Sequence, residues 1–217
     1  MRTEDAVVEL ISSSLHYMGN ILASILPATA FAAVILFVIR EILEFAKRRA
    51  SDRRKIKALK ALIARELEQN MFALRGLNYI LNSMADAKKC DPKHELQIVV
   101  DAIGGRRFRR LDPQFGLLES DPLPVIRNEY MGKYLLDVAV LSDELFTKLE
   151  AAYDSTSELK HVLDSAILHI SDDDGAYEAH FEGFVEYGRQ ELTGAHANLE
   201  RLYQACTGES LKRFRIR

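Results

Sequence analysis

Polar and apolar positions follow a different rule in each of three stretches of this chain. The first, Ile21 to Ile39, reads ILASILPATAFAAVILFVI and carries no charge until Arg40. About 20 apolar residues cross a hydrocarbon layer at 1.5 Å each, and Ser24 and Thr29 can bond back to the preceding turn. With no polar stripe, the pattern predicts a transmembrane helix over 21–39. Pro27 is tolerated in such a helix where it would break a soluble one. A cleaved signal needs a basic region first, and here Glu4, Asp5 and Glu9 outnumber Arg2. Before the run, Val7, Ile11, Leu15 and Met18 recur at three or four residues. This pattern fits either an interfacial amphipathic helix or an extension of the span.

The second stretch is a long three-four alternation: Ile56, Ile63, Leu67, Asn70, Leu74, Leu77, Leu81 and Met84. Such spacing marks the seam of a coiled coil or bundle helix, and no glycine or proline interrupts Ala28 to Arg75. One helix from Ala28 to Ala85 would reach roughly 85 Å. Asn70 stands where leucine is expected, and a polar residue in a seam commonly fixes register or partner number.

In the third stretch the seam breaks at Asp91-Pro92. A short helix is expected to Ile103, closed by Gly104-Gly105. GGRRFRRLDPQFGLLESDPLP then reads as a loop, because its glycines and prolines interrupt regular structure. A helix resumes over 124–140. Ser142 caps another that carries Leu145, Leu149, Ala152, Thr156, Leu159, Leu163, Ala166 and Ile170, and SDDDG ends it. Tyr177, Phe181, Phe184, Gly188, Leu192, Ala195, Leu199, Leu202 and Cys206 mark a last helix. The expected fold is all-α: an N-terminal transmembrane helix continuing into a cytoplasmic antiparallel helical bundle. The expected divisions are an external or interfacial segment (1–20), the span (21–39), a basic juxtamembrane helix (40–60) and the bundle (61–217).

Charge sets the expected orientation. The 217 residues carry a net charge of −3, but Lys47, Arg48, Arg49, Arg53, Arg54 and Lys55 crowd the segment after the span. Positive residues mark the cytoplasmic flank, so a single-pass inner-membrane protein with its N-terminus outside is expected. Cys90 and Cys206 then face a reducing compartment as free thiols. The same basic residues, and Arg106, Arg107, Arg109 and Arg110, are candidates for anionic-lipid or nucleic-acid contact. The segment KRFRIR (212–217) shares their arginine-aromatic character. Ala23, Ala28, Ala30, Ala32 and Ala33 form a small-residue face on which spans can pack.

Candidate chemistry is sparse. Glu158-x-x-His161 is half of a di-iron bundle motif and lacks a second copy. The histidines pair with no nucleophile motif, and neither a Walker loop nor GxGxxG is present. No cofactor and no metal are expected, and the chain reads as a non-enzyme.

ALIARELEQNMFALRGLNYIL (61–81) and LSDELFTKLEAAYDSTSELKHVLD (141–164) resemble a loose group of small bacterial membrane-anchored helical proteins. The resemblance rests on Ile63, Glu66, Leu67 and Asn70, and on Leu141, Asp143, Glu144 and Tyr153. It implies a membrane-perturbing effector of the retron or phage-defence kind; apart from the resemblance, the anchored bundle can also be read as a passive tether holding a soluble partner. The bilayer, a protein partner or a second copy, and nucleic acid are the partners these readings allow.

Overall fold

The computed structural model describes residues 28–171 and 180–211. In chain order these form α1 (Ala28–Lys89), β1 (Glu95–Val100), β2 (Arg106–Asp112), β3 (Gly116–Pro122), α2 (Glu129–Leu141), α3 (Asp143–Ile170) and α4 (Phe181–Thr207). The chain divides into two compact units, up to Arg54 and from Lys55 onward.

In the first unit the described part of α1 is exposed almost throughout. Val34, Ile35, Leu36, Phe37, Ile42, Leu43 and Phe45 all face solvent. Glu44 pairs with Arg40 at 3.0 Å and with Arg48 at 3.8 Å, the i,i+4 spacing that supports an isolated helix.

Among the described residues no helix is long and apolar enough to cross a membrane. This overturns the expected single-pass inner-membrane protein with an external N-terminus. The uncharged part of α1, Ala28 to Ile39, rises only about 18 Å before Arg40, Glu41 and Glu44. Residues 21–27 of the expected span, Ala23 among them, lie outside the described residues, as does the segment 3–20. Ala28, Ala30, Ala32 and Ala33 occupy the first turns of α1.

The second unit holds the core. Ile63, Leu67, Leu77, Leu81 and Met84 of α1 are fully buried with Leu149 and Leu159 of α3 and Leu199 and Leu202 of α4. Helix α4 runs antiparallel to α1: Arg189 donates to Asn82 at 2.9 Å, Tyr203 to Glu68 at 3.0 Å, and Lys60 to the Ala205 carbonyl at 2.7 Å. Gly188 lets these helices close, because a Cβ there would lie 2.9 Å from Leu81 Cδ1. Ser142 ends α2 and starts α3, its Oγ accepting from the Leu145 N–H at 3.3 Å. Gly208, with φ of 78°, terminates α4 in the left-handed conformation that glycine adopts freely.

The all-α expectation holds only in part. The fold is mostly helical, but 95–122 forms a three-stranded antiparallel sheet in the order β1-β2-β3. The expected short helix to Ile103 is strand β1, and the expected loop after Gly104 is β2 and β3. Glycine and proline sit at the turns rather than against the strands. At the first turn Asp101 Oδ1 accepts from the N–H groups of Ile103 and Gly105, and Gly104 has φ of 83°. At the second, Asp112 Oδ1 accepts from Gln114 at 2.6 Å and Phe115 at 2.9 Å, beside Gly116 with φ of 79°. Phe108 of β2 is fully buried and meets Tyr79 of α1 edge-on at 6.3 Å. That contact fastens the sheet to the bundle.

Candidate functional site

Three constructions on the second unit bring polar chemistry together. The first answers the question of the polar residue in the seam. Asn70 is completely buried, and its side-chain amide forms a closed pair with one backbone unit. Nδ2 donates to the Arg127 carbonyl at 2.6 Å, while Oδ1 accepts from the Arg127 N–H at 2.8 Å. One turn earlier on the same face, Glu66 is 1% exposed and accepts from the N–H groups of Tyr130 at 3.0 Å and Met131 at 2.9 Å. These are donors of the first turn of α2, which a helix leaves without internal partners. Asn128 precedes α2 without capping it through its side chain and instead accepts from Lys160 at 2.6 Å. Glu66 is thus a cap supplied from another helix, and a carboxylate suits the positive end of the helix dipole. Asn70 registers the 127–131 segment rather than an oligomer.

The second construction lies where the sheet meets α1. Arg110 donates from Nε to His94 Nδ1 at 2.9 Å, reaches Cys90 Sγ at 3.5 Å, and pairs with Glu119 at 3.7 Å. His94 Nε2 lies 3.1 Å from Asp112, and Ser83 donates to Glu119 at 3.1 Å. The Asp112 carboxyl is held below the usual carboxylate range, first by the N–H groups of Phe115 and Gln114 and then by His94. Burial, followed by the hydrogen bond to Glu119, pushes the Tyr79 hydroxyl up to about 12. Since His94 Nδ1 accepts from Arg110, the imidazole N–H is placed at Nε2, facing Asp112. The bonds from Arg110 to His94 and from Ser83 to Glu119, with the His94–Asp112 pair, tie β2 and β3 to His94 and to α1 and brace the hairpin. Among the described residues no group of three or more ligating side chains is placed to hold a metal.

The third is a groove of about 1070 Å³ between α1 and the segment 121–127. Phe72, Tyr79, Leu123 and Val125 supply apolar walls, with Gln69, Arg75, Asp121 and Arg127 at the polar positions. Gly76 sets how closely the walls approach, since a Cβ there would come within 3.2 Å of Pro124. The Asn70 and Glu66 bonds fix the far wall, because they hold the backbone at Arg127 and at the start of α2.

The two expected basic clusters are arranged differently. Lys47, Arg48, Arg49, Arg53, Arg54 and Lys55 are all exposed on α1. The arginines of β2 do not form one patch, because strand side chains alternate. Arg106 and Arg110 share the face of buried Phe108, and Arg107 and Arg109 take the other. Arg110 is committed to the second construction, and Arg107 donates to the Ser120 carbonyl at 2.9 Å. Glu158 accepts from the Tyr187 hydroxyl, and burial pushes the Cys206 thiol up to about 11. A thiol so placed is protonated at neutral pH and a poor nucleophile.

Sequence reasoning passed over Tyr79, Ser83, His94 and Glu119. The available signal was the alternation Leu96, Ile98, Val100 followed by Arg106, Phe108, Arg110, which arginines at inward positions concealed. No family model matches the chain, and neither a curated protein nor a solved structure does. The resemblance drawn from 61–81 and 141–164 therefore has no matched relative beside it.

Proposed function

We propose that this protein is a non-catalytic interaction module whose groove between α1 and the 121–127 segment receives an apolar, acidic segment of a protein partner. The carrying observation is how the polar residues of the core are used. Glu66 and Asn70, buried groups of the kind that catalysis recruits, are consumed in fixing one wall of the groove. Buried polar groups held by two bonds each give a rigid, preformed surface, which lowers the ordering cost of binding. The exposed Phe72 and Val125 offer anchors, and Arg127 offers a cation to a carboxylate. The effector reading depends on a membrane span, and the described helices do not supply one.

A peptide-display selection on the folded full chain tests this reading. Enriched peptides should combine large apolar side chains with Asp or Glu. Phe72→Ala with Val125→Asp should weaken their binding at least tenfold, and Arg127→Glu should remove the acidic preference. Peptides that bind all three proteins equally would refute the groove as the docking site.

A further inference from the structure

Helices α1 and α4 approach closely at Gly188 and frame a second groove, of about 660 Å³. Two cross-helix bonds bracket it, Arg189 to Asn82 at one end and Tyr203 to Glu68 at the other. Between them Met71, Leu74 and Leu192 are buried and make an apolar floor. The volume falls among the roughly 300–1,000 Å³ of small-molecule sites.

The rim is basic on a helix that is otherwise acidic. Helix α4 carries Glu182, Glu186, Glu191 and Glu200 against Arg189 and Arg201, yet none of those glutamates lines the groove. Its basic lining is Arg75, Arg189 and His196, with Asn78 among them. The carboxylates toward the far end are engaged elsewhere: Glu68 accepts from Tyr203, and Glu200 accepts from the Leu211 N–H at 3.1 Å. Arg189 is half-buried, and among the described residues its side chain bonds only the neutral oxygen of Asn82, at 2.9 Å. A guanidinium has five N–H donors, so this one bond leaves most of them for a ligand. Partial burial strengthens a charge pair, and an anion arriving here meets no competing carboxylate.

Spacing along the two helices sets the shape of that ligand. Asn78 lies one turn before Asn82 on α1, so in the antiparallel pair it stands at the Arg189 end. His196 lies about 10 Å further along α4. An oxyanion held by Arg189 and Asn78 therefore has Leu74 and Leu192 beneath the rest of its molecule, and His196 beyond. Guanidinium and amide donors call for a group that only accepts. A phosphate monoester brings three acceptor oxygens and close to two charges, where a carboxylate brings two oxygens and one charge. We infer that this groove binds a small phosphate monoester with a flat apolar body, its phosphate at Arg189 and Asn78 and its body running toward His196.

Naphthyl phosphate, titrated into the isotope-labelled full chain and followed through its amide resonances, tests this. Saturable shifts are expected to concentrate in residues 71–78 and 189–196. Arg189→Gln should weaken binding at least tenfold. Because Arg189 also bonds Asn82, the exposed positions supply variants that spare the packing: Asn78→Leu and His196→Ala should each weaken binding about threefold. Naphthol, which lacks the phosphate, should give no saturable shift in either segment. A naphthyl phosphate titration without saturable shifts there would overturn the inference. So would naphthol binding as tightly as its phosphate, or the same affinity in the unaltered chain and all three variants. Arg75 lines both grooves and stays unchanged in every variant, so peptide binding in the first groove stands or falls separately.

Discussion

The two halves of α1 invert the usual relation between chemistry and burial. From Val34 to Phe45 large apolar side chains lie in solvent, while in the other half a glutamate and an asparagine lie in the core. Within one continuous helix, a side chain's location follows from what surrounds it rather than from its own hydropathy. Glu66 and Asn70 tolerate burial because every bond they need is made, and an unpaired polar group there would cost several kcal/mol. The apolar residues of the first half have no described neighbour to bury them.

Breaking the inversion at Glu66 should have the largest effect. Glu66→Ala leaves the buried N–H of Met131 and the part-buried N–H of Tyr130 without acceptors, at about 1–3 kcal/mol each at most, and opens a cavity besides. We expect a loss of about 3–5 kcal/mol in denaturant unfolding; a loss under 1 kcal/mol would mean water replaces the cap. Asn70→Leu should come next, at about 2–3 kcal/mol, since it restores the seam pattern but orphans the backbone of Arg127. If this leucine stabilises the protein, the amide pair is not the reason for Asn70.

Titration gives an intermediate effect. Asp112 is held below the ordinary carboxylate range, so its stabilising contribution is present above that range and lost as pH falls through its lowered value. Asp112→Asn should flatten the acid limb of the stability profile. Tyr79 and Tyr187 are raised to about 12, so stability falls as pH climbs from about 10, where unfolded tyrosine ionises, toward 12. Tyr79→Phe should flatten that alkaline limb, and ultraviolet absorbance of the folded protein should show Tyr79, Tyr187 and Tyr203 titrating late. The smallest effect is expected in the first half of α1. Leu36→Ser should shift unfolding by less than about 0.5 kcal/mol, as surface changes usually do.

Much of this fold was legible in the sequence because helical burial repeats at three and four residues over many turns. The seam from Ile56 to Met84, the cap at Ser142 and the last helix each carry that signal at length. The sheet was not legible, because short strands give few periods, and Arg106 and Arg110 occupy positions where alternation would lead a reader to expect apolar residues. The span was read from an uncharged run of nineteen residues, of which α1 as described contains the twelve from Ala28 to Ile39. The groove was invisible for a different reason. Its walls are far apart in sequence, and the bonds of Asn70 to Arg127 and of Glu66 to the start of α2 bring them together.

Ser142 belongs to the end of one helix and the beginning of the next, so nothing between them can absorb an error in length. A single inserted residue would turn all of α3 by about 100° relative to α2. Leu149, Leu159 and the other inward side chains would swing toward water together. Evolution by insertion and deletion is therefore closed at this joint, and variants that change chain length should survive elsewhere, above all at the turn that Gly104 makes.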